Sequence, residues 1–273
     1  MMMKLRHYSL FIIHYSLSLL SLLSLASLAT AAPIDARLRC PTEKECTAKS
    51  YVQNGLIAMW DGIENAGWGV HDATATVWKN LGSTGSTYDA TAGSAKTWLD
   101  KGAYFERNWG QVFTIPAGFM NTQAKGEWTL EVVFSPLSRW VENYSGIFGN
   151  HGSGLGWDWG QVKFFGLYSP TFQFIGSSGY SWIYGDKYSV SCGASATAGA
   201  TIAVINGEIF GEKACTASQV TLTQSSAIYI GAAFGSGERV FHGTIFAVRV
   251  YNRKLTANEI AYNYAVDKER FGL

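Results

Sequence analysis

Run after run in this chain alternates apolar and polar residues with period two. "AYFERN", "WTLEVVF", "VKFFGLY", "TFQFIG", "ATIAVI", "EIFGE", "AIYIGAAF" and "TIFAVRVY" all do so, with Gly, Ser, Asn and Pro between them. Only the C-terminus carries a sustained helical period, so the pattern demands many antiparallel strands. Half-buried strands of that kind hide their apolar faces against each other, which predicts an all-β sandwich of two sheets in one domain. The sharpest local signal is "TIAVINGEIFGE", where Asn206-Gly207 separates two alternating runs. Both residues tolerate positive φ, as a type I′ hairpin turn requires. "GLIAMW" reads as a buried strand, and Trp60, Trp78 and Trp128 stand in strand contexts that place them in the core.

Near the end stands "FHGTIFAVRVYNRKLTANEI", residues 241–260. Strict alternation puts Ile245, Ala247 and Arg249 on one face and Phe246, Val248 and Val250 on the other. Thr256, with Glu259 three residues on, forms a capping box that starts a helix over "ANEIAYNYAVDKERF". That helix is expected to lay Ile260, Tyr264 and Phe271 against the sandwich.

The other end is a different kind of sequence. Lys4 and Arg6 precede "LFIIHYSLSLLSLLSLASLA", and Ala29-Thr30-Ala31 offers small residues before a cut at Ala32. Residues 1–31 therefore read as a cleaved export signal, with no membrane span left afterwards. Residues 32–53 read as a polar N-terminal tether, and 54–273 as the sandwich. The mature chain keeps 19 basic against 20 acidic residues. So near-neutral a balance gives no electrostatic reason to expect nucleic acid. Four cysteines remain, Cys40, Cys46, Cys192 and Cys215. In an exported chain an even count favours disulfides over metal. Three pairings are open; Cys40–Cys46 with Cys192–Cys215 is preferred because each closes a local loop.

The closing segment resembles the end of the LamG-like, concanavalin A-like lectin/glucanase jelly-roll domains, whose pattern runs G-x-I-D-x-V-R-I-Y-N-R-x-L-S-x-x-E-I. Gly243, Ile245, Val248, Arg249, Val250, Tyr251, Asn252, Arg253, Leu255, Thr256, Glu259 and Ile260 match it, and Phe246 departs from the usual aspartate. "GLIAMWDGIENAGWG", "GEWTLEVVFSP", "AVINGE" and "IYIGAAF" follow the same family's order, so the resemblance spans roughly residues 54–267. It implies a two-sheet antiparallel jelly roll with a short C-terminal helix. Function it leaves open, since the fold hosts lectins, hydrolases, adhesion modules and scaffolds.

Candidate chemistry comes in three forms. "EWTLE" puts Glu127, Thr129 and Glu131 on one strand face and resembles the E-x-D-x-E strand of β-glucanases of this fold class. A retaining glycosidase needs two carboxyls about 5–5.5 Å apart. Thr129, however, replaces the central aspartate, and the plainer reading is a rim carboxylate at a strand start. The alternative acids offer no better pair: Asp61 and Glu64 lie in a turn and Asp186 stands alone. His71, His151 and His242 have no G-x-S-x-G elbow beside them.

The second form is a binding surface. "GNHGSGLGWDWGQ" brings Asn150, His151, Trp157, Asp158, Trp159 and Gln161 into one segment, and "GYSWIYGDKY" adds Tyr180, Trp182 and Tyr184. Indole faces stack on sugar rings while the polar groups bond hydroxyls. The plainer reading packs an aromatic row between the sheets, and for Trp182 it is preferred. Third, a structural calcium would need clustered loop carboxylates, and Asp61, Asp72 and Asp89 form no such cluster. No cofactor is expected. The preferred function is a secreted domain that binds an extracellular glycan without catalysis. The rivals are a hydrolase using Glu127 and Glu131, and a surface scaffold that binds protein.

Overall fold

The computed structural model describes residues 46–119, 122, 126–137, 144–150, 153–158, 180, 182–220, 225–232 and 240–273, with the backbone alone for 144–145, 153–158 and 219. The export signal, Cys40 and the runs "VKFFGLY" and "TFQFIG" lie outside these residues. The strands are β1 (Leu56–Asp61), β2 (Val77–Trp78), β3 (Ala90–Ala92), β4 (Thr97–Leu99), β5 (Gly102–Glu106), β6 (Phe113–Ile115) and β7 (Glu127–Pro136). They continue with β8 (Tyr144–Asn150), β9 (Ser153–Asp158), β10 (Tyr188–Ser195), β11 (Ala200–Ile205), β12 (Glu208–Ala214), β13 (Ile228–Ile230) and β14 (His242–Tyr251). A C-terminal helix, Ala257–Phe271, follows.

Two antiparallel sheets result. The larger runs β12-β11-β10-β7-β14-β5-β4, and the smaller runs β2-β3-β6-β13-β8-β9. β14 is the hub: β7 pairs it along one side, while β5 takes the first half of its other side and β1 the second half. The β11–β12 hairpin turns at Asn206 (φ 50°) and Gly207 (φ 81°), the type I′ geometry that Asn-Gly predicts. Gly207 is also required by space, because a Cβ there would lie 2.4 Å from the Tyr264 ring.

Between the sheets lies one aromatic-rich core. From the larger sheet come Trp128, Leu130, Val132, Phe134, Phe105 and Val248; the smaller contributes Trp78, Phe113, Ile115, Phe148, Ile228 and Ile230. The three tryptophans expected inside are fully buried. Each also satisfies its ring N–H: Trp60 donates to the Tyr88 carbonyl, Trp78 to that of Asp61 and Trp128 to that of Val220. Large rings therefore fill the gap without stranding a donor.

The outer face of the larger sheet is covered too. The C-terminal helix lies over it, started by the Thr256/Glu259 capping box and ended by Gly272 in the left-handed region. Residues 46–53, expected as tether, are instead built into this second layer. Cys46, Ala48 and Tyr51 are buried with Leu56, Met59, Val204, Tyr251, Ile260 and Val266. With both faces covered, β1 is buried at every position, which is why "LIAMW" reads as an unbroken apolar run.

Among the bulges that interrupt strict alternation, the one in β14 bears on the helix. The pairing of β14 with β7 slips between Ile245 and Ala247. Such a β-bulge turns successive residues to the same side. Ile245, Val248 and Val250 consequently face the inner core, while Phe246 and Ala247 both pack outward against Phe271 and Val133. Phe246, where the family pattern has aspartate, thus fills an apolar seat under the helix, with its ring 5.7 Å from that of Phe271.

Candidate functional site

Glu131 is neither a rim carboxylate nor an accessible catalytic one. It points from β7 to the helix-covered face, is 1% exposed, and has every oxygen engaged. Its Oε2 accepts from Arg249 Nε (2.7 Å) and Asn263 Nδ2 (2.9 Å), and its Oε1 from Ser191 Oγ (3.0 Å). Arg249 then spans to the helix, where both terminal nitrogens donate to Asp267 at 2.8 Å. Asp267 also accepts from Tyr51 Oη (2.9 Å) and Ser189 Oγ (2.7 Å). Burial pushes the Glu131 carboxyl up, against the downward pull of Arg249. Glu127, at the start of the strand, is half-buried and accepts from Ser195 Oγ at 2.6 Å.

A second ionic cluster adjoins the first. Arg270 Nη1 and Nη2 reach the two oxygens of Asp61 at 2.5 and 3.0 Å, and Nη2 reaches Glu64 Oε1 at 3.0 Å. Glu64 further accepts from the backbone N–H groups of Ala48 and Gly69. Tyr51 joins the clusters, its ring 4.0 Å from the Arg249 guanidinium and 5.5 Å from that of Arg270. Asp61 and Glu64, read from sequence as a turn, are therefore anchors for the helix. One sequence signal could have found this. Asn263, Asp267 and Arg270 recur at i, i+4 and i+7, the spacing of a buried helix face, but with polar residues.

The aromatic candidates separate. Trp157 and Asp158 lie on β9, one end strand of the smaller sheet among the described residues, opposite Ser145 and Tyr144 of β8. Asn150 ends β8, and its Nδ2 donates to the Ala227 carbonyl. His151, Trp159 and Gln161 lie outside the described residues. Tyr180 and Trp182 are partly buried against the inner core, their rings 4.6 Å apart, with Trp182 also 4.6 Å from Tyr188. Packing thus claims that pair. Among the described residues, two tryptophans not singled out by sequence are exposed, Trp68 at 42% and Trp109 at 36%. Each stands alone in its loop, without the doubled W-x-W spacing that drew attention to Trp157 and Trp159.

The Cys192–Cys215 pairing does not hold: both are buried free thiols. Register explains why. Ser195, Ala200 and Ala214 align across β10, β11 and β12. Cys192 and Cys215 are therefore separated by about 13 Å along the strands and about 10 Å across them. A disulfide needs Cα atoms within about 7 Å. Burial pushes the Cys192 thiol up to about 12. Of the loop acids, Asp89 holds Lys79 and the Asn80 N–H, and Asp72 holds Thr74. Among the described residues no cluster of His, Cys, Asp and Glu could hold a metal. His71 Nδ1 faces the Gly62 carbonyl, and burial with Arg107 nearby lowers the pKa of His242.

A profile of the concanavalin A-like lectin/glucanases superfamily matches residues 108–261, more than half of the chain. Among solved structures, the chain is similar to Trypanosoma rangeli sialidase in complex with 2,3-difluorosialic acid (TM-score 0.57, 20% identity). The match covers 78% of this chain and 33% of that one, so the chain spans about a third of the sialidase's length. It is also similar to domain 4 of AbnA, a GH43 extracellular arabinanase from Geobacillus stearothermophilus, in complex with arabinotriose. There the TM-score is 0.50 at 16% identity, over 78% of this chain and 100% of that domain. A third likeness is to the binding domain of botulinum neurotoxin serotype G (TM-score 0.51, 15% identity), over 78% of this chain and 51% of that chain. A search of curated proteins returned no match. At these identities the neighbours establish a shared fold.

Proposed function

The chain belongs to the concanavalin A-like lectin/glucanases superfamily, and from that premise we propose that it is an exported, non-catalytic domain that binds carbohydrate. The observation that carries the non-catalytic half is Glu131. A glycosidase acid or nucleophile must reach the scissile bond. Glu131 instead lies beneath a helix, its oxygens committed to Arg249, Asn263 and Ser191. The carbohydrate half draws on the likenesses to a sialidase and to an arabinanase domain bound to arabinotriose. It also draws on the aromatic and polar residues of one segment, Asn150, His151, Trp157, Asp158, Trp159 and Gln161. Export rests on the basic start, apolar run and small-residue site within residues 1–31, and a Cys40–Cys46 bridge would suit that destination. Among the described residues no helix is long and apolar enough to cross a membrane.

Incubating mature protein with β-glucan oligosaccharides, and screening it on a glycan array, tests both halves. We expect no turnover, at least one glycan signal, and a weaker signal from Trp157→Ala. Turnover abolished by Glu131→Gln would overturn the non-catalytic reading. An empty array would replace glycan binding with a protein-binding scaffold.

A further inference from the structure

The outer face of the smaller sheet carries an open groove of about 490 Å³, within the range of small-ligand sites. β3 and β6 form its floor, with β13 paired beside β6. Thr91, Thr114 and Tyr229 are register partners across these three strands, a row about 10 Å long. One wall is Trp109, exposed, with its ring 5.2 Å from that of Tyr229 in an edge-on arrangement.

The indole is held on a stiff support. Trp109–Gln111 is a single 3₁₀ turn capped by Asn108, whose Oδ1 accepts from Gly110 N at 2.9 Å. Gln111 Oε1 accepts from Glu106 N, and the Gly110 carbonyl accepts from Ala95 N at 2.7 Å. The neighbouring bend at Gly93 approaches so closely that a Cβ there would lie 2.2 Å from the Gly110 carbonyl oxygen. A ring presented this way loses little further freedom when a ligand stacks on it.

The lining chemistry narrows the ligand. Thr91, Ser94 and Thr114 supply hydroxyls, and among the described residues none that lines the groove is charged. An acidic sugar would leave its carboxylate without a cation, whereas a neutral sugar offers C–H faces to the indole and hydroxyls to the threonines. We infer that this groove is a subsite for a neutral oligosaccharide, with the Trp109 ring as its stacking platform. The inference rests on the carbohydrate-binding reading above and gives it a location and a ligand class.

Isothermal titration with arabinotriose, laminaritetraose and xylotetraose, and with 3′-sialyllactose as the acidic comparison, tests it. Wild type should bind at least one neutral probe. Trp109→Ala should weaken that binding at least tenfold at unchanged melting temperature, and Trp109→Phe should retain part of it. Ser94→Arg, which fills the groove while leaving the Trp109 ring in place, should weaken it as well at unchanged melting temperature. Unchanged affinity in both Trp109→Ala and Ser94→Arg overturns the subsite while leaving carbohydrate binding intact. Binding of 3′-sialyllactose alone overturns the neutral class. Failure of wild type to bind any probe, together with an empty glycan array, removes the parent reading and this inference together.

Discussion

Arg249→Met isolates the reason a sheet should carry charge beneath a helix. The substitution keeps much of the side chain's length and removes three charge-assisted hydrogen bonds, one to Glu131 and two to Asp267. It also removes the guanidinium stacked over Tyr51. At about 1.5–3 kcal/mol per bond, simple addition would exceed about 4.5 kcal/mol. Releasing the guanidinium from its own desolvation offsets part of that, but Glu131 and Asp267 remain buried without this cation. Removing one partner of a buried pair costs about 3–5 kcal/mol. For a domain above 200 residues this lowers the melting temperature by about 10 °C. Glu131→Gln is the matched control. A glutamine oxygen at the Oε2 position still accepts from Arg249 and Asn263, and its NH₂ can donate to Ser191 Oγ, which reverses its role. Arg249 keeps Asp267, so only charge is lost, at about 1–2 kcal/mol. Urea unfolding of the mature protein, followed by circular dichroism, reads both. The Arg249→Met deficit should narrow on acidification, because protonated Glu131 no longer needs a counter-ion. A cost below about 1 kcal/mol for Arg249→Met, or an equal cost for Glu131→Gln, would refute the account.

Three further outcomes follow. Thr256→Ala removes the N-cap acceptor for Glu259 N and should cost about 1 kcal/mol by urea midpoint. Arg253 and the cap hold Glu259 at about 2, against an ordinary 4.5. A depressed acid stabilises the fold above its ordinary value and loses that contribution as pH falls through the folded one. Part of the stability should therefore vanish between pH 4.5 and 2, and Glu259→Gln should lack that part. Thiol titration supplies the third outcome. The native protein should react slowly, with Cys192 pushed up to about 12, and should show two thiols per chain when unfolded without reductant. Four thiols would exclude the Cys40–Cys46 bridge, and none would contradict the free pair.

What could be read in advance was local. Asn206-Gly207 turns where it does because two adjacent residues tolerate positive φ, and Thr256 with Glu259 caps because three positions suffice. Trp60, Trp78 and Trp128 fall inside because large apolar rings in alternating strands find few other places. The candidate site was less legible. Trp157 drew notice through its doubled spacing, whereas the groove beside Trp109 arises only when β3 and β6 lie side by side.

Sequence alone thus determined those alternating strands that fall on the described residues, the C-terminal helix and its cap, and the two-sheet class, since each follows from interactions within a few residues. Tertiary structure decided the fate of Glu131, whose partners Arg249 and Asn263 stand 118 and 132 positions away. It likewise decided the bulge that turns Phe246 toward the helix, the docking of residues 46–53, and the distance between Cys192 and Cys215. In each case the deciding quantity is burial or separation in space. Neither has a value until elements far apart in the chain have packed together.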